Sequence, residues 1–129
     1  MLWKIELFIK KERILRVEPV NLSNAKLKYN EKGLIPVVVQ DNKTSEVLMM
    51  AWMNLQSLEN TLELKTMVYW SRSRNELWLK GKTSGHTQQL VELLVDCDCD
   101  CLLAKVDQVG PACHTNNKSC FFTLINSIK

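Results

Sequence analysis

The feature that most constrains this chain is the strict alternation of aspartate and cysteine over residues 96–101. Carboxylates are hard ligands suited to Mg²⁺, Mn²⁺ or Ca²⁺, whereas thiolates are soft ligands suited to Zn²⁺. If the segment continues a strand, successive side chains point to opposite faces of it. One face would then carry Asp96, Asp98 and Asp100, and the other Cys97, Cys99 and Cys101. The pattern therefore predicts a two-faced strand that serves two chemically different metal sites.

Two other interpretations of these residues are excluded. A calcium EF-hand loop also has acidic residues at its first, third and fifth positions, but it needs glycine sixth and glutamate twelfth. Those positions are Cys101 and Asp107 here. The chain has five cysteines, so a complete set of intramolecular disulfides is impossible. We expect free thiols in a reducing cytoplasm. Burial of individual cysteines as small apolar side chains is an alternative that stays open.

Length and charge limit the remaining function classes. A chain of 129 residues is about one domain. Its net charge of +3 is too small to predict nucleic-acid binding. No apolar run approaches the roughly 20 residues of a membrane helix. We expect a cytoplasmic protein whose partner is a small molecule, with neither nucleic acid nor membrane bound.

Hydrophobic periodicity predicts an α+β fold, with one helix beside a mixed or antiparallel sheet. Asn54 is a good N-cap, and leucines at helical spacing follow it to about residue 65. A turn at 41–45 predicts a hairpin between the two strands before the helix. The predicted strands cover residues 3–9, 34–40, 46–52, 67–71, 76–80 and 87–95, and a segment at 102–106 continues or pairs with the last.

Three cysteines are separated by fifteen and then six residues, namely Cys97, Cys113 and Cys120. That spacing lacks the CxxC pairs of a structural zinc ribbon. Three protein ligands leave the fourth position to water, as in catalytic zinc sites, although a closed thiolate cluster with Cys99 and Cys101 is an alternative. His114 directly follows one of the cysteines and is the first candidate for general acid–base chemistry. His86 is the second.

A basic and aromatic segment, residues 70–74 (WSRSR), suits a phosphorylated heterocyclic ligand. Arginine makes bidentate contacts to phosphate, and tryptophan can stack on a base. Lys80 and Lys82 add positive charge nearby. A solvated hairpin tip would have the same composition, so both interpretations stay open at this point.

Five segments in this order resemble the phosphoribosyl-AMP cyclohydrolase family of histidine biosynthesis. They are GLIPVVVQD (33–41), EVLMMAWMN (46–54), YWSRSRNELWLKGKTSGHTQ (69–88), LVDCDCD (94–100) and VGPACHTNNKSCFF (109–122). The resemblance runs from about Leu34 to Phe122 and leaves the first 28 or so residues outside it. It implies hydrolytic opening of the adenine ring of 1-(5-phosphoribosyl)-AMP between N1 and C6.

The resemblance also implies the site residues and the assembly. It assigns zinc to Cys97, Cys113 and Cys120, and magnesium to Asp96, Asp98 and Asp100. In this family the zinc ligands come from two subunits, so a homodimer is implied. His114, or else His86, would move the proton. The expected substrate-binding residues are Trp70, Arg72, Arg74, Lys80 and Ser84.

The chain departs from the family pattern at Cys99 and Cys101, where the family has small or acidic residues. We interpret these two as packed thiols. A single activity is expected, because the chain ends soon after the KSCFF segment and carries no fused pyrophosphohydrolase domain. The main alternative is a non-catalytic, cysteine-rich metal-binding or metal-sensing protein. A zinc deaminase is excluded, because its H-x-E and P-C-x-x-C patterns are missing.

Overall fold

A four-stranded mixed sheet forms the centre of the molecule in the computed structural model, which describes residues 18–129. Its four strands are β1 (Ile35–Asp41), β2 (Val47–Met53), β5 (Gln88–Val95) and β6 (Leu102–Gln108). The strand order is β2-β1-β6-β5, with β1 parallel to β6 and the other neighbours antiparallel. This confirms the predicted α+β class, whereas the strand predicted at 3–9 lies outside the described residues.

Strands β1 and β2 form the predicted hairpin around the turn at 41–45. Ile35, Val37 and Val39 alternate along β1 and are fully buried. Branched side chains at period two fit one face of a pleated sheet, and this face carries the core. The parallel pairing with β6 adds Ala104 and Val106, which are also fully buried.

The one α-helix within residues 18–129, α1 (Leu55–Leu64), begins and ends where the sequence predicts. Asn54 is the N-cap, and its side chain accepts a hydrogen bond from the Ser57 N–H at 2.8 Å. The Ser57 hydroxyl accepts in return from the Asn54 N–H, which completes a capping box. Lys65 ends the helix in the left-handed conformation, at φ 59°.

A two-stranded sheet packs beside the helix and beside β2. It consists of β3 (Val68–Ser71) and β4 (Glu76–Leu79), which pair antiparallel. Thr61 of α1 accepts a hydrogen bond from the Val68 N–H at 2.9 Å, and Tyr69 is fully buried. This small sheet therefore joins the core and carries the loop 80–87 to the edge of the main sheet. Within residues 18–129, no helix is long and apolar enough to cross a bilayer.

Candidate active site

The Asp/Cys segment is a tight turn that joins β5 to β6, so the prediction of a two-faced strand is wrong. The chain reverses between Val95 and Leu102, which pair directly across the hairpin. The Asp96 N–H donates to the Cys101 carbonyl at 3.0 Å, and Cys99 takes a left-handed conformation at φ 64°. Alternation of residue type at period two is typical of a strand. Here the backbone groups of the segment instead form hydrogen bonds within the turn, not with a neighbouring strand.

The turn nevertheless brings the three aspartates together, because their side chains converge instead of sharing a strand face. One carboxylate oxygen from each of Asp96, Asp98 and Asp100 lies within 4.8 Å of the others, and all three residues are exposed. Oxygen donors at this spacing could hold a divalent cation. The cluster is the one group of three potential metal ligands among residues 18–129.

The pKa values of Asp96 and Asp100 shift in opposite directions. Desolvation opposes ionisation of Asp96, but the Asp100 and Cys101 N–H groups donate to its Oδ1 at 3.0 and 3.1 Å, and the net effect lowers its pKa. The pKa of Asp100 is raised, first by its hydrogen bond with Asp98, then by desolvation and by the neighbouring negative charges. Asp96 therefore favours its ionised form and Asp100 its neutral form, as expected for crowded carboxylates.

The second group of candidate ligands, Cys113 and Cys120, lies on one loop that follows β6. The Ala112 N–H donates to the Lys118 carbonyl, and the Asn116 N–H donates to the Cys113 carbonyl, which folds the loop back on itself. The Cys120 N–H then donates to the Leu48 carbonyl of β2 at 2.7 Å. These backbone bonds place the two thiols near enough for each to shift the pKa of the other.

The two thiols of this loop differ in acidity. The Thr115 hydroxyl donates to Cys113 Sγ at 3.0 Å, and this contact is the largest cause that lowers the Cys113 pKa. Cys120 and the ammonium of Lys80 lower it further. Burial raises the pKa of Cys120. Because a thiolate is the form that binds metals, Cys113 is the better prepared ligand of the pair.

Both cysteines border a pocket of about 750 Å³ between β4, the loop 80–86 and the cysteine loop. The volume is in the range of small-molecule sites. Both candidate histidines, His86 and His114, also line this pocket. Of the predicted substrate-binding residues, it contains Arg74, Lys80 and Ser84.

Two glycines leave room for His86 beside this pocket. Gly110 has φ 68°, and a Cβ built on it would lie 2.6 Å from His86 Cδ2, so the ring occupies the space that any side chain would need. Gly81 has φ 83°, and a Cβ there would lie 2.6 Å from the His86 backbone. The imidazole is therefore held against bare backbone on one side. His114, by contrast, is exposed at the rim.

Six predicted site residues do not line this pocket, namely the three aspartates of the Asp/Cys turn and Trp70, Arg72 and Cys97. Trp70 is half-buried on β3, and the Arg72 guanidinium lies 4.9 Å from the centre of the Trp52 ring. Cys97 is exposed on the Asp/Cys turn. The sulfurs of Cys97, Cys113 and Cys120 do not lie within 4.8 Å of one another in one chain, since within 18–129 only the aspartates form such a group.

Thr115 is the residue of this site that the sequence analysis missed. Its role depends on the turn Cys113–Asn116, which closes with Asn116 at φ 70°. The side chain of Asn117 donates in turn to the Thr115 hydroxyl at 2.8 Å. A threonine two residues after a cysteine is too common to be a signal by itself. The asparagines that follow it were the available indication of a turn.

Comparisons with known proteins show which family the chain is similar to. The family model for phosphoribosyl-AMP cyclohydrolase matches residues 49–122. A protein of that name from Ruegeria sp. (strain TM1040) is 59% identical over 106 residues, which cover 82% of each chain. Its counterpart from Paracoccus denitrificans is 60% identical over 101 residues, 78% of this chain and 84% of the relative. A third, from Jannaschia sp. (strain CCS1), is 59% identical over 103 residues, 80% of this chain and 87% of the relative.

Proposed function

The chain belongs to the phosphoribosyl-AMP cyclohydrolase family of hydrolases, and we propose that it opens the adenine ring of 1-(5-phosphoribosyl)-AMP in histidine biosynthesis. Water would add to C6, the N1–C6 bond would break, and N1 would take up the proton. The observation that supports this best is that two cysteines, two histidines and an arginine all line the same pocket.

Zinc is the metal that the cysteine loop fits. Cys113 and Cys120 are adjacent soft donors, and the Cys113 pKa is lowered, chiefly by the Thr115 hydrogen bond. Bound zinc would supply a water acidic enough to attack at neutral pH. We propose Cys97 as the third ligand. Because Cys97 does not join the other two within one chain, it would come from the second subunit of a homodimer, which then contains two sites.

The proton transfer is assigned to the histidines of the pocket. His114 directly follows Cys113 and is exposed at the pocket rim, where it can accept a proton from the attacking water and deliver it to N1. His86 is the second candidate, and its ring is fixed against Gly110. A fixed ring suits orientation of the purine, whereas an exposed one can exchange protons with solvent.

The phosphates would be held by groups around the same opening. Arg74 and Ser84 line the pocket and are both exposed. Arg72 and Trp70 lie outside its wall and would contact the far end of the substrate only if it extends along β3. The substrate carries negative phosphates, so an exposed guanidinium at the rim is a suitable anchor.

Magnesium is proposed at the Asp/Cys turn, with Asp96, Asp98 and Asp100 as its oxygen ligands. Their spacing within 4.8 Å supports the assignment. Hard oxygen donors favour Mg²⁺ over zinc, so the two metals would be sorted by ligand type. For the whole enzyme we propose a cytoplasmic location, where all five cysteines stay free thiols.

The test is turnover of 1-(5-phosphoribosyl)-AMP, followed by the ultraviolet change as the purine opens. Chelation should abolish turnover, and zinc should restore it. Cys113→Ala should lose both zinc and activity, because it removes the better prepared thiolate. Cys101→Ala is the matched control, since it removes a thiol outside the proposed ligand set and should keep both.

Two outcomes would contradict the proposal. Normal turnover by a zinc-free Cys113→Ala variant would remove zinc from the mechanism. A folded, zinc-loaded protein without turnover would instead favour the non-catalytic metal-binding alternative, with Cys99 and Cys101 as the first additional ligands to examine.

A further inference from the structure

Lys80 is an unusual member of the pocket wall, because its side chain is buried and its amine is already engaged. The residue follows β4 and is only 7% exposed. Its Nζ donates to the Ala112 carbonyl at 2.7 Å and lies 5.3 Å from the centre of the Trp78 ring. A lysine that anchors phosphate at a surface would extend its amine into solvent. Lys80 instead reaches the backbone next to Cys113.

A buried ammonium needs an anion to offset the cost of its desolvation. Within residues 18–129, no carboxylate forms an ion pair with Lys80. Burial lowers the pKa of the Lys80 ammonium, and the charges of Cys120 and Cys113 act in the opposite direction. Because Lys80 also donates to the carbonyl directly before Cys113, the cysteine pair is the available counter-charge of this lysine.

We propose that Lys80 is a positioning residue and charge partner for the Cys113/Cys120 pair, and that it is not a phosphate contact. The inference rests on the proposed function in that these cysteines bind a metal. Through the Ala112 carbonyl, Lys80 fixes the backbone that carries Cys113. Its positive charge balances the excess negative charge that three thiolates bring to a divalent ion. Partners that orient metal ligands typically contribute 10–100-fold to metal affinity.

The test compares zinc affinity among variants, measured by competition with a chromophoric chelator at fixed pH. Lys80→Gln can still donate to the Ala112 carbonyl but carries no charge, whereas Lys80→Arg keeps the charge. We expect Lys80→Gln to bind zinc about 10–100-fold more weakly and Lys80→Arg to recover most of that loss. Lys105→Gln, a half-buried lysine of β6 paired with Glu92, is the control and should bind zinc as the wild type does.

Steady-state kinetics distinguish the two roles of Lys80. If it positions the cysteines, zinc-saturated Lys80→Gln should have a nearly unchanged KM and a reduced kcat. Wild-type zinc affinity in Lys80→Gln together with a raised KM would overturn the inference and make Lys80 a phosphate contact. Lys80→Met, which fills the same volume without polar groups, replaces Lys80→Gln if the amide impairs folding. Absence of zinc binding by the wild type would contradict the proposed function instead.

Discussion

The Cys113–Cys120 loop and the Asp96–Cys101 turn both carry potential metal ligands, but the protein holds them in different ways. The loop is tied to the core. Its Ser119 hydroxyl donates to the Val47 carbonyl at 2.8 Å, and the Lys118 amine lies 3.1 Å from an Asp41 carboxylate oxygen. These partners are about 70 residues away in sequence, so the loop geometry depends on the whole fold.

The Asp/Cys turn is held almost entirely by itself. Asp96 accepts from the N–H groups of Asp100 and Cys101, and one contact from outside, the Lys28 N–H to the Cys99 carbonyl at 2.7 Å, adds to these. Its aspartates and Cys97 are exposed. In the proposed zinc site, the loop would therefore supply a preorganised pair of ligands from one chain. The turn would present Cys97 outward, where a second subunit could meet it.

The strongest test of this contrast is mixing of two inactive chains. Cys97→Ala and Cys113→Ala should each be inactive alone, because each removes one zinc ligand from every site. If the sites are shared, a mixed dimer keeps one intact site, which combines Cys113 of one chain with Cys97 of the other. Random exchange makes half of the dimers mixed, so the mixture should recover about one quarter of wild-type turnover.

The two chains carry different affinity tags, so that mixed dimers can be isolated and their zinc content measured. A mixture of Cys113→Ala with Cys120→Ala is the control and should stay inactive, since both changes damage the same half-site. A mixture of Cys97→Ala and Cys113→Ala that also stays inactive, although mixed dimers are present, would place all three ligands in one chain.

A smaller effect is expected from loosening the anchor of the cysteine loop. The pKa of Asp41 is lowered, first by the Lys43 N–H, which donates at 2.8 Å, and then by Lys118, while its burial acts in the opposite direction. A depressed folded-state pKa stabilises the fold above the unfolded pKa of about 3.9, and that stability is lost as pH falls through the folded value. Asp41→Asn should therefore reduce the free energy of unfolding at pH 7 by about 1–2 kcal/mol.

Urea unfolding at pH 7 and near pH 3 measures this change. The difference between Asp41→Asn and wild type should shrink at the lower pH, because the carboxyl is then mostly protonated in the unfolded state and part of the stabilisation by ionised Asp41 is lost. Glu46→Gln is the matched control, because Glu46 contacts the same lysine at 3.2 Å from a half-exposed position. Glu46→Gln should reduce the free energy of unfolding by less than about 0.5 kcal/mol. Equal losses for Asp41→Asn at both pH values would show that the carboxylate charge does not anchor the loop.

The two regions also differ in how far the sequence predicts them. Elements with a local signal were predicted closely: Asn54 caps the helix, and the β-branched run of β1 forms a buried strand. The cysteine loop has no such signal, since burial of Lys80 against the Ala112 carbonyl arises only after β4 and the loop that follows β6 come together. The pocket likewise includes Arg74 but not Arg72. Both arginines lie in the turn between β3 and β4, where side chains do not alternate as they do in a strand, and charge composition does not indicate which of the two faces the pocket.

The Asp/Cys turn is the instructive failure, because its alternation matches a strand while its conformation requires a reversal. The deciding residue is Cys99, which adopts φ 64°. A side chain in this region costs roughly 1 kcal/mol, and glycine removes the cost. A glycine at 99 would have predicted the turn from the sequence, as Asp-Gly does in hairpins. Cysteine at this position gives no such turn signal.

The smallest predicted effect follows from that residue. Cys99→Gly should leave the free energy of unfolding unchanged or raise it by up to about 1 kcal/mol, because relief of the left-handed strain offsets the greater freedom of the unfolded chain. Cys101→Gly is the control. It lies outside the left-handed residues and directly before β6, so glycine there should destabilise by about 0.5–1 kcal/mol. Chemical denaturation measures the free energy of unfolding of both variants. If Cys99→Gly were the more destabilising of the two, the Cys99 thiol would be packed in place, and the turn would owe its shape to that contact more than to its backbone hydrogen bonds.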